Sequence, residues 1–85
     1  MKKTWNIGER CRYGTLRIIK ADSKQITLGL SYYREKKIME QKTFTDHFEM
    51  WMWLSDQADS YHADLVIEEL AKNGCKLPQD SMWAR

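Results

Sequence analysis

Eighty-five residues, 42% hydrophobic and 31% charged with a net charge of +2, make a single domain over 1–85, because a chain this short buries only roughly 60% of its unfolded surface and has no material for a second core. No run of about 18 apolar residues occurs, and the opening MKKTWNIGER has two lysines but no apolar stretch; a membrane span and a secretory signal are not expected, and the cytoplasm is the expected compartment. The charge is polarised, with eleven Lys or Arg against four Asp or Glu in residues 1–44 and three against eight in residues 45–85, so either two oppositely charged layers attract each other or each meets a partner of opposite sign.

Lys2 to Ile7 alternates Trp5 and Ile7 as apolar residues and predicts a first short strand or an arm, with Gly8 permitting a bend. Thr15 to Ala21 predicts a strand in which Leu16 and Ile18 share one face and Arg17 and Ile19 the other. Asp22, Ser23 and Lys24 form a short polar turn of the kind that joins antiparallel neighbours. Gln25 to Tyr33 carries the cleanest alternation, with Ile26, Leu28, Leu30 and Tyr32 on one face and Thr27, Gly29, Ser31 and Tyr33 on the other. Lys36 to Thr43 reads as a further strand once a bulge or wide loop separates the adjacent Ile38 and Met39.

Phe44 to Leu54, FTDHFEMWMWL, is the densest apolar and aromatic stretch. At about 100° per residue, Phe48, Trp51, Met52 and Ser55 form an inward stripe extended by Leu54 and Ala58, while Asp46, Glu49, Asp56, Gln57 and Trp53 lie opposite, with Met50 at the edge. Asp46 and Glu49 have the spacing of a capping box, which favours a helix over 46–57. The same stretch also alternates at period two, so a strand over 48–54 stays open. Trp53 opposes the buried set in either geometry. It is then a cover at the sheet edge or an exposed anchor for a partner.

Asp59 or Ser60 is placed to cap a second helix over 60–73. Ala63, Val66, Ile67, Leu70 and Ala71 recur on one face of it, and Asp64, Glu68, Glu69 and Lys72 face water. Asn73 and Gly74 end this helix and Pro78 blocks its continuation. A loosely held tail is expected over 76–85. The sum is an α+β, two-layer fold: an antiparallel sheet of three or four strands (residues about 4–44), with one or two C-terminal helices on one face and polar and basic groups on the other.

Chemistry-bearing patterns are few. Ser55, Ser60 and His62 sit where caps and helix surfaces use such residues, and Glu68 and Glu69 diverge by about 100° around a helix, so no catalytic pair converges. No P-loop, GxGxxG or HExxH occurs. Cys11, Cys75, His47 and His62 contain no close ligand pair, so no metal or other cofactor is expected and the cysteines read as free thiols. The reading is non-enzymatic. Met50, Trp53 and Trp83, ringed by Glu49, Asp56 and Asp59, suit docking on a basic protein such as a host nuclease or another nucleic-acid enzyme. Arg12, Arg17, Lys24, Tyr33, Arg34 and Lys37 on the uncovered sheet face or its rim suit nucleic acid instead. Self-association to a homodimer through the aromatic patch is a third reading.

Lys3-Thr4-Trp5-Asn6-Ile7-Gly8-Glu9 followed by Tyr13-Gly14, and Ser60-Tyr61-His62-Ala63-Asp64 leading into Val66-Ile67, resemble small proteins encoded by phages and related mobile elements. The opening is similar to that of a small anti-CRISPR that inhibits a type II Cas nuclease by binding its HNH domain. The resemblance covers about a third of the chain. It implies a compact, non-catalytic inhibitor that covers a surface of a larger host enzyme. It assigns no functional residue, since Trp5 and Ile7 read as core, Gly8 and Gly14 as turns and Ser60 as a cap.

Overall fold

The computed structural model describes residues 1–8, 13–32 and 35–78. Four strands, β1 (Thr4–Asn6), β2 (Thr15–Ala21), β3 (Ile26–Ser31) and β4 (Glu40–Phe44), precede two helices, α1 (His47–Gln57) and α2 (Ser60–Lys72). The strands form one open antiparallel sheet in sequence order, with β1 and β4 as its free edges among the described residues. This is the α+β arrangement that the alternating first half and the helix-periodic second half predict. The choice left open for residues 48–54 falls to helix.

Register follows from which side chains need burial. Trp5, Leu16 and Leu30 lie abreast across β1, β2 and β3, as do Ile18 with Leu28, and Ile26 with Phe44. All are buried, and they form one core with Met50, Leu54, Ala63, Val66 and Leu70 of the helices. The Leu, Ile, Val, Phe and Met side chains among them each contribute about 1.5–3 kcal/mol by leaving water. Beyond Ile18 the register of β2 shifts by one residue, so Lys20 faces Thr27 and Ala21 faces Ile26. The irregularity leaves Ile19 44% exposed on the outer face and lets Ala21 pack against the core.

The outer face of β3 is also covered. Thr27 and Ser31 are buried, with the Thr27 hydroxyl 2.8 Å from that of Thr43. A Cβ added at Gly29 would meet Ile19 Cδ1 at 2.6 Å and Ile38 at 3.2 Å, so these two isoleucines close over the glycine. The strand expected over Lys36 to Thr43 spans only Glu40–Phe44, so Ile38 and Met39 both precede it; the Met39 amide donates to the Leu30 carbonyl at 2.8 Å. Tyr32, expected on the buried face of β3, lies beyond the strand end and is exposed. Its ring sits 5.5 Å from that of buried Tyr13.

Both helices cover the inner face. α1 lies toward β4, where the Trp53 and Phe44 rings are 5.4 Å apart. α2 lies toward β1, where the Lys2 amide donates to Glu69 Oε1 at 2.9 Å. Trp51 Nε1–H donates to Asp64 Oδ1 at 3.1 Å and ties the helices together. Asp46 caps α1 by accepting from the Glu49 amide at 2.9 Å, and Asp59 caps α2 by accepting from the His62 amide at 2.7 Å. Gly74, at φ +76°, stops α2: its amide donates to Ala71 and that of Cys75 to Leu70, the two bonds of a Schellman motif.

The expected loose tail requires correction over its first part. Leu77 is buried at 2% exposure, and the Pro78 carbonyl accepts from the His47 amide at 2.9 Å, so the chain after α2 returns to the start of α1. The remainder, 79–85, lies outside the described residues. Cys75 is a free thiol, and Cys11 lies outside the described residues. Among the described residues, no helix is long and apolar enough to cross a membrane.

Candidate interaction surface

The helix phase of α1 decides which of the predicted contact residues reach solvent. Met50 and Leu54 are buried at 1% and 0% exposure, whereas Met52 is 52% exposed. Met50, expected at the edge of the outward arc and assigned to partner contact, is therefore a core residue. Met52, expected in the inward stripe, is a surface one. The cause is a stretch that is apolar almost all round, from Phe48 through Leu54, so apolar positions alone do not fix a phase. The acidic residues do: Glu49 and Asp56, seven apart, lie along one line of the helix and mark its wet side. The face opposite them holds Leu54, Trp51, Ala58 and Met50.

Trp53 lies between the two alternatives. It is half-buried against Phe44 at the sheet edge and lines the same groove as Met52. Lys42 completes the surroundings from the strand. In β4 it stands opposite Leu28 on the inner face, yet it lies beyond the reach of the core and is exposed. Its Nζ sits 5.5 Å from the centre of the Phe44 ring. Together Lys42, Glu49, Met52, Trp53, Ser55 and Asp56 line an open groove between β4 and α1. Trp51 lines it too, so its apolar part is two indoles and the Met52 thioether, with two carboxylates from the helix and one ammonium from the strand.

Asp59 does not join this groove. It caps α2, and its Oδ1 also lies 3.0 Å from His62 Nδ1. Trp83 lies outside the described residues. Of the six residues assigned to partner contact, the structure brings together Glu49, Trp53 and Asp56. It adds Met52 and Lys42, which the sequence reading missed; the seven-residue spacing of Glu49 and Asp56 was the available signal for Met52.

The residues assigned to nucleic acid are dispersed. Arg12, Tyr33 and Arg34 lie outside the described residues. Arg17 lies on the outer sheet face, but its Nε–H donates to Ser31 Oγ at 3.2 Å and its guanidinium to the Glu35 carbonyl at 3.1 Å. It clamps the β3–β4 loop. Lys24 lies in the β2–β3 turn and Lys37 in the β3–β4 connection, at opposite ends of the sheet and separated by the length of β3, about 20 Å at 3.3 Å per residue. Between them the outer face carries Ile19, Ile38 and, opposite Thr27, exposed Lys20.

In the β2–β3 turn, Asp22 Oδ1 accepts from the Gln25 amide at 2.8 Å and the Lys24 amide at 2.7 Å. These bonds, that of Gln25 first, hold its carboxyl below the usual range. Among the described residues no three His, Cys, Asp or Glu side chains are grouped to hold a metal ion. Comparison of the chain with models of known families, with curated proteins and with solved structures finds no match, so the functional reading rests on the residues and their geometry.

Proposed function

We propose that this chain is a non-enzymatic protein-binding module that docks on a basic surface of a nucleic-acid enzyme through the groove between β4 and α1. The observation that carries the reading is Met52, 52% exposed, beside half-buried Trp53 and between exposed Glu49 and Asp56. Apolar surface of this kind supplies affinity at the centre of a contact, and the carboxylates steer a positively charged partner onto it. The resemblance of the opening residues to a phage-encoded inhibitor suggests the HNH domain of a type II Cas nuclease as the target.

Calorimetric titration of that isolated HNH domain tests the proposal. A complex is expected that Met52→Asp weakens on the order of a hundredfold, since a hot-spot truncation costs about 2 kcal/mol or more and each 1.4 kcal/mol is tenfold. Lys24→Glu and Lys37→Glu leave it unchanged. Absence of a complex, or a complex indifferent to Met52→Asp, overturns the assignment. A gel shift on unrelated duplexes across a salt series covers the alternative, a DNA-binding accessory role for the sheet face, for which binding lost steeply with salt is the signature.

A further inference from the structure

The two free edges of the sheet are guarded differently. β1 is three residues long and is preceded by Lys2 and Lys3, and like charges at a short edge repel a second copy. β4 is five residues long, and Glu40, Gln41, Lys42 and Thr43 are all exposed. It carries neither a proline nor charges of one sign. Its sequence about Gln41 is instead self-complementary. A two-fold axis through Gln41 sets a second β4 antiparallel to the first, with Glu40 opposite Lys42 of the copy, Lys42 opposite its Glu40, and Gln41 opposite Gln41. Glu40 and Lys42 stand on the same, inner face, since they pair with Leu30 and Leu28, so both oppositely charged pairs fall on that side of the joined sheet. Directly opposed side chains in an antiparallel pair lie about 4.5–5.5 Å apart, where unlike charges attract. A residue-centred axis is compatible with either hydrogen-bonding phase of the ladder. Met39, 40% exposed, precedes the strand, and the groove lined by Lys42 and Met52 opens beside it.

We infer that β4 pairs with β4 of a second copy of this chain, joining two sheets into one of eight strands through reciprocal Glu40–Lys42 contacts. This pairing does not rest on the partner-docking reading, because it is read in the absence of any other protein. Sedimentation velocity over a concentration series tests it. The chain is expected to pass from monomer to dimer as concentration rises. Lys42→Glu and Glu40→Lys each place like charges opposite each other and raise the dimer dissociation constant on the order of tenfold or more. The double variant Glu40→Lys with Lys42→Glu restores the dimer, and an equimolar mixture of the two single variants forms a heterodimer. Both positions are exposed, so circular dichroism of all variants should match the parent. A chain that stays monomeric throughout, or a dimer that neither single reversal weakens, overturns the inference.

Discussion

Methionines 50 and 52 differ by two positions and by almost everything that matters to stability. Met50 is enclosed between α1 and the sheet, so truncation to alanine removes buried methylenes and leaves a void, a loss of about 2–5 kcal/mol. Met52→Ala is expected to change stability by less than about 0.5 kcal/mol, as surface substitutions generally do. Urea denaturation of the two variants checks this, and equal effects would mean that α1 is rotated. Trp53→Ala falls between, because the indole packs on Phe44; Met52→Asp is the cleaner probe of binding. Asp22 gives a pH dependence. Its carboxyl is lowered by the Gln25 and Lys24 amides, so it contributes stability above the unfolded carboxylate pKa, about 3.9, and that contribution is lost as pH falls through the folded value. The difference in urea midpoint between the parent and Asp22→Asn is therefore expected to shift on acidification through this range. A difference constant from neutral to strongly acid pH would contradict the turn geometry.

The helices are held at their ends by single side chains and one glycine. Asp59→Ala removes the cap of α2, an expected loss of about 1 kcal/mol. Gly74→Ala places a Cβ at φ +76°, costing about 1–2 kcal/mol although nothing lies within 4 Å of it. Thermal unfolding reads both, with about 4–8 °C lost per kcal/mol in a domain of this size. These ends were legible in the sequence because capping and left-handed termination are local. The bounds of β2 were legible for the same reason: Leu16 and Ile18 alternate with residues that water tolerates. The phase of α1 was not, since Phe48, Met50, Trp51, Met52, Trp53 and Leu54 surround the helix and the sheet chooses among them. Nor was the closure of Ile19 and Ile38 over Gly29, or the return of Leu77 to the core, because each pairs residues distant in sequence. The groove was half legible for the same reasons: Trp53, Glu49 and Asp56 came from one helix, whereas Lys42 enters only through the pairing of β4 with β3 and the seating of α1 beside it.

At the scale of the molecule, a sheet layer rich in lysine and arginine carries a helix layer rich in aspartate and glutamate, and the seam between β4 and α1 is where the two meet at an open edge. There the apolar surplus of the central stretch reaches solvent between carboxylates, which is the basis for assigning this seam to a partner. The outer sheet face has cations too, but Arg17 is engaged with Ser31 and Glu35, and Lys24 and Lys37 stand at opposite ends. The most direct test is a backbone amide and indole NMR titration of the labelled chain with the HNH domain of a type II Cas nuclease. Perturbations are expected to concentrate at Lys42, Glu49, Met52, Trp53 and Asp56, including the Trp53 indole; perturbations centred instead on Arg17, Ile19, Lys24 and Lys37 would contradict the assignment.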